Sequence, residues 1–153
     1  MLDKAHIGKT YGRITTEVEK GRLRFFAKAI GETNPVYTDE AAAKAAGYRS
    51  LPVPPTYFFC LQMLDDPDPT SWITDLGVNL QTILHGEQSF EYLQMAFAGD
   101  RLSYESRVTD IYDKKGGALE FLVTETTVVN QANQLVARMK CSTVIRNPAG
   151  SKK

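Results

Sequence analysis

Pro54-Pro55-Thr56-Tyr57-Phe58-Phe59-Cys60-Leu61-Gln62-Met63-Leu64 is the stretch on which the fold of this 153-residue chain turns. The paired prolines enforce extended backbone before it, and Pro55 suits the first turn of a helix. Residues 56–64 are apolar nearly all round a helical wheel, which predicts a helix buried on most sides. Asp65-Asp66-Pro67-Asp68-Pro69 ends it, and residues 72–77 read as loop. Four strand signals follow, at 88–97, 102–112, Leu119–Val129 and 135–145. Phe97-Ala98-Gly99-Asp100, Lys114-Lys115-Gly116-Gly117 and Asn130-Gln131-Ala132-Asn133 supply the turns between them. One buried helix followed by consecutive antiparallel strands predicts an α+β domain, a curved sheet wrapped around a central helix.

The length fits one domain, residues 1–153, with a core at about 7–146 and a tail at 147–153 whose Ser151-Lys152-Lys153 end reads as disordered. A hydrophobic fraction of 42% is enough to close one core. Eighteen basic residues balance eighteen acidic ones, so no basic field exists to hold nucleic acid or an anionic membrane. Met1-Leu2-Asp3-Lys4-Ala5-His6 has no signal-peptide character, and no stretch is apolar enough to span a bilayer, so the expected compartment is the cytoplasm. Cys60 and Cys141 sit far apart in apolar surroundings and read as two buried thiols. Two His and two Cys in no ligand spacing predict no metal site, and the absence of a Gly-rich phosphate loop predicts no nucleotide or flavin cofactor.

Upstream, residues 7–18 read as a strand with turns at Gly8 and Gly12. Leu23, Phe26, Ala27 and Ile30 recur at helical spacing within 19–30, with Gly31 as the stop. Asp39 caps a short helix at 40–46 that Gly47 ends. Between these helices lies Gly31-Glu32-Thr33-Asn34-Pro35-Val36-Tyr37, with a turn at Asn34-Pro35. This segment resembles Gly-Asp-x-Asn-Pro-[Leu/Ile/Val]-His, the signature of the MaoC-like family of (R)-specific enoyl-thioester hydratases and 3-hydroxyacyl dehydratases. Ala98-Gly99-Asp100-Arg101-Leu102 is similar to the family's Gly-Asp-x-Leu turn, and Leu84-His85-Gly86-Glu87-Gln88-Ser89-Phe90 to a segment of its FAS1-like dehydratase branch. The resemblance implies a hot-dog fold, working as a dimer because the family's sites form where two hot dogs meet. It also implies an acyl-thioester substrate, with coenzyme A or a carrier-protein phosphopantetheine as part of that substrate.

In the family the signature Asp and His hold a water and shuttle its proton, while backbone N–H groups at the central helix start polarise the thioester carbonyl. Glu32 falls on the Asp, and its extra methylene displaces the carboxylate by one C–C bond, which tight geometry tolerates poorly. Tyr37 falls on the His. A phenol with a reference pKa of ~10 cannot exchange protons near neutrality as imidazole does, although it can donate a hydrogen bond. Pro54-Pro55 stands where active members carry His-Gly, and proline has no N–H to offer; Thr56 or Tyr57 supplies one only if the register shifts. Val53-Pro54-Pro55-Thr56-Tyr57 in turn resembles the same region in the non-catalytic subunits of heterodimeric (R)-3-hydroxyacyl-ACP dehydratases. Asn34 and Pro35, with Pro55, Thr56 and Tyr57, are the expected substrate-side residues, Asn34 holding the loop through side-chain-to-backbone bonds.

His85 and Glu87 form an alternative acid–base pair: on a regular strand, residues two apart point to the same side, and Gln88 to the other. Phe58, Phe59, Leu61, Met63 and Leu64 read as core that also lines an acyl tunnel; Lys114, Lys115, Arg138, Lys140 and Arg146 read as a solvated face, with contact to the phosphates of coenzyme A or of a carrier-protein arm as the alternative. The expected function is that of a subunit of an acyl-thioester hydratase or dehydratase, the acyl-binding half beside a catalytic MaoC-like chain. The alternatives are a homodimeric hydratase using Glu32 with His85 or Tyr37, a hot-dog thioesterase using Glu87, and a non-catalytic acyl-binding module.

Overall fold

The computed structural model describes residues 2–147; Met1 and residues 148–153, including the Lys-rich end, lie outside them. Strands β1 (Thr10–Glu17), β2 (Ile83–Tyr92), β3 (Arg101–Lys114), β4 (Leu119–Val129) and β5 (Leu135–Arg146) form one antiparallel sheet in the order β1-β3-β4-β5-β2. Helices α1 (Lys20–Ala29), α2 (Glu40–Ala45), α3 (Tyr57–Leu64) and α4 (Ser71–Thr74) pass beneath or around it. The architecture is a hot dog, with α3 as the central helix.

Curvature comes from the backbone. Register shifts fall between Tyr11 and Ile14, between His85 and Glu87, between Val108 and Asp110, and, on the β4–β5 pair, between Val128 and Val129. Each extra residue bends its strand and increases the local twist, so the sheet curves over one side of α3. Tyr57, Phe58 and Leu61 of α3 pack with Leu102, Tyr104, Val128, Val136 and Met139 from the sheet's inner face. A second apolar cluster, Ile73, Val78, Val108, Ile111, Leu122 and Ile145, fills the other end of the sheet. The turn before β3 is pinned by Asp100, which is 2% exposed. Its carboxylate accepts from Arg49 at 2.5 and 2.6 Å, from the Phe97 N–H at 2.8 Å and from Gln131 at 3.0 Å.

Four expectations need correction. α3 is not buried on most sides: Phe59 and Cys60 are half-buried, and Met63 and Leu64 are 41% and 43% exposed, because the sheet covers only one side of this short helix. The strand expected at 88–97 runs instead from Ile83 to Tyr92. Its ladder on β5 closes where the Leu93 and Gln94 N–H groups converge on the Val136 carbonyl, after which Phe97 bridges Pro52. Helix α4 takes up the first half of the 72–77 loop; its Ile73 is buried, while Trp72 meets Tyr11 edge-on at 6.1 Å. Gly12 lies within the β1 bulge rather than in a turn. Cys60 and Cys141 are free thiols, both half-buried.

Candidate functional site

The motif loop is built by α1 stopping abruptly. Gly31 takes φ 70°, which lets its N–H reach the Lys28 carbonyl and the Glu32 N–H reach the Ala27 carbonyl. The Glu32 carboxylate then accepts the Asn34 N–H at 2.8 Å, and Asn34 Oδ1 accepts the Val36 N–H at 3.2 Å, capping one 3-10 turn over Pro35–Tyr37. Glu32, Asn34 and Pro35 are exposed, and Tyr37 is half-buried. Burial raises the Tyr37 phenol above its ordinary pKa, and the Glu32 carboxylate and Tyr48 raise it further. Tyr37 therefore stays neutral near pH 7, a phenol close enough to the Glu32 carboxylate to feel its charge.

At the helix start, Pro55 and Thr56 are exposed and Tyr57 is buried, its ring 4.4 Å from that of Phe26. The Tyr57 N–H is already given to the Pro54 carbonyl at 3.0 Å, and Thr56 makes no side-chain cap. Of the backbone donors expected to face a thioester oxygen, Pro55 has none and that of Tyr57 is taken.

The proposed His85–Glu87 pairing fails on geometry. His85 pairs with Thr143 and Glu87 with Ser142, successive residues of β5 that face opposite ways, because Gly86 is the extra residue of a bulge. His85 packs edge-on against Phe59 of α3 at 5.3 Å, on the inner face, whereas Glu87 lies on the outer face beside Lys140 and Asp110. Gln88, expected on the opposite side from His85, shares its face. Gly86 itself is required: a Cβ there would lie 2.8 Å from both the Ser142 carbonyl oxygen and Val144 Cγ2.

Behind α3, between the helix and the sheet, runs a cavity of about 540 Å³. Phe59, Gln62 and Met63 form the helix wall. Tyr104, Ser106, Thr124 and Thr126 form the floor, with Met139, Cys141 and Thr143 beside them and His85 and Gln88 at the β2 side. Residues from Asp66 to Leu80, including Trp72 and Ile73, close the far side. Burial raises the Cys141 thiol, partly offset by Thr143, so the thiol stays protonated. Reading the sequence alone missed this floor. The available signal was β4, where the inward positions Leu122, Thr124, Thr126 and Val128 carry two threonines at their centre. Among the described residues no cluster of His, Cys, Asp or Glu has metal-binding form, and no helix is long and apolar enough to cross a membrane.

Residues 5–139 match the model of the FAS1-like, dehydratase domain region. A UPF0336 protein of Streptomyces avermitilis is 37% identical over 122 residues, covering 75% of this chain and 77% of its own length. Among solved structures, a C-terminally truncated HadBC (3R-hydroxyacyl-ACP dehydratase) complex from Mycobacterium tuberculosis matches with a TM-score of 0.75 at 23% identity, over 90% of this chain and 96% of that one. A MaoC-like dehydratase from Phytophthora capsici matches with a TM-score of 0.76 at 26% identity, over 99% of this chain and 52% of that one. With its signature loop, its central helix and the match over residues 5–139, the chain belongs to the FAS1-like dehydratase family of hot-dog domains.

Proposed function

We propose that this chain is the acyl-binding half of a two-hot-dog assembly that interconverts trans-2-enoyl and (R)-3-hydroxyacyl thioesters, whether on coenzyme A or on a carrier protein. The cavity behind α3 carries this reading: it is a ready enclosure for an acyl tail, in a chain whose motif loop pairs an exposed glutamate with a neutral phenol. The partner supplies the Asp and His that deliver water, hydroxyl to the β-carbon and proton to the α-carbon. A surface for that partner exists along edge strand β2 and the segment after it, where Leu84, Tyr92, Leu93 and Met95 are all exposed.

The test follows loss of enoyl-thioester absorbance across short to long trans-2-enoyl-CoAs, for this chain alone and mixed with a catalytic MaoC-like chain. The expected result is silence alone, and activity with a longer-chain preference in the mixture. Turnover by this chain alone that disappears in Glu32→Gln would overturn the subunit role in favour of a self-sufficient homodimer. A mixture that gains neither activity nor length preference would overturn it as well.

A further inference from the structure

The outer face of the sheet, away from α3, carries a second hollow, an open cleft of about 590 Å³. Strand register builds its floor. Glu87 stands opposite Ser142, Ser142 opposite Val123, and Val123 opposite Asp110, so residues of β2, β5, β4 and β3 form one transverse row. Each end of the row directly follows a bulge, at the shifts between His85 and Glu87 and between Val108 and Asp110, and both carboxylates line the cleft. Three strand spacings separate them, about 14 Å between Cα atoms.

The row is charged at its ends and nearly sealed in its middle, where Val123 is 6% exposed and Ser142 8%. Among the described residues, the Glu87 and Asp110 carboxylates and the Ser142 hydroxyl have no hydrogen-bond or ion-pair partner. The acids of the next two rows are paired: Glu125 meets Lys140 at 3.6 Å, and Glu91 meets Arg138 at 2.8 Å. Lys140 also lines the cleft, but Glu125 offsets its charge. Arg107, opposite Glu125 on β3, leans away with its guanidinium against Gly8. On the other flank lies an apolar row, Leu84, Val144, Phe121 and Tyr112, with the last two rings stacked at 4.7 Å.

A cleft of this volume suits a small molecule. Its two ends accept charged N–H donors, and its middle offers one hydroxyl beside apolar contact. We propose that the outer cleft binds a chain-like organic dication, an aliphatic diamine or polyamine, with one ammonium at Glu87 and the other at Asp110. The stem crosses Val123 along the Leu84-to-Tyr112 row, and Ser142 takes a hydrogen bond from an amine of the chain. A single ammonium satisfies only one end of the row. The site lies on the opposite side of the sheet from the acyl cavity and does not depend on the acyl-binding reading.

The experiment is NMR titration of the full chain at low ionic strength with diaminooctane, octylamine, octanediol and a two-lysine peptide. The diamine is expected to bind roughly fivefold more tightly than octylamine, the size of one further exposed charge pair, and to move the amide signals of the Glu87-to-Asp110 row. Glu87→Gln and, separately, Asp110→Asn are expected to bring the diamine down to the octylamine level. Glu91→Gln removes a paired carboxylate of the same face and is expected to leave diamine binding unchanged. An equal loss in Glu91→Gln would show attraction to surface charge in general and overturn the site. A diamine that binds no better than octylamine or octanediol, does not bind, or moves signals elsewhere would overturn it as well. Binding of the peptide where neither amine binds would overturn the small ligand and make the cleft a docking surface for a basic protein segment.

Discussion

The loop at 31–37 and the cavity behind α3 are held by opposite means. The loop is closed by bonds between residues two to five apart: Glu32 to Asn34, Asn34 to Val36, Glu32 to Ala27. The cavity draws wall residues from all five strands, whose pairing carries the register shifts, and the turn into β3 is held by the Asp100 network, which joins residues 51 and 31 positions apart in sequence. Chemistry borne by a local loop can drift residue by residue without disturbing the fold. A cavity assembled from the whole sheet is altered at its supports only at a cost to the stability of the domain, although its lining can change.

This contrast is open to direct challenge. Asp100→Ala leaves Arg49, Gln131 and the Phe97 N–H without their shared acceptor and is expected to cost about 2–3 kcal/mol, below the full value for a buried pair because Arg49 is largely exposed. Chemical denaturation measures it. The same group sets an acid limit. Burial pushes the Asp100 carboxyl up, but the hydrogen bonds from Arg49, Phe97 and Gln131 outweigh burial and hold it below its ordinary value. Its contribution is thus present above the unfolded pKa of about 4 and is lost as pH falls through the lowered folded value. The urea midpoint of the parent should drop below that pH more steeply than that of Asp100→Asn.

Gly86→Ala comes next, at about 2 kcal/mol, since the new methyl meets the β5 backbone as well as Val144. A wild-type melting temperature in that variant would show that the bulge is dispensable. Asn34→Ala removes only the cap of one turn and should cost about 1 kcal/mol. Glu32→Gln keeps an oxygen for the Asn34 N–H and should shift stability by no more than about 0.5 kcal/mol. A large loss in Glu32→Gln would mean that the loop is anchored to more than itself.

The same division governs what could be read from the chain before its structure. Gly31, the Asn34 cap, the Asp39 cap and the β4 hairpin turns are local signals, and each fell where its side chain said it would. The α+β order and the central helix followed from the apolar run at Tyr57–Leu64. Bulges were invisible, because an extra residue is defined only against its partner strand; the assumption of strict alternation therefore placed His85 and Glu87 together and Gln88 apart from them. The end of β2 was misread for a related reason. Residues 93–97 carry strand-like side chains, but β5 offers them no further ladder.

Curvature set by backbone irregularities has a consequence for the history of such domains. Shape and lining are written in different parts of the molecule: the register shifts bend the strands, while inward positions such as Ser106, Thr124 and Thr126 line the hollow. A duplicated copy can exchange those few inward residues, leave every bulge in place, and acquire a taste for a different cargo without having to invent a new scaffold.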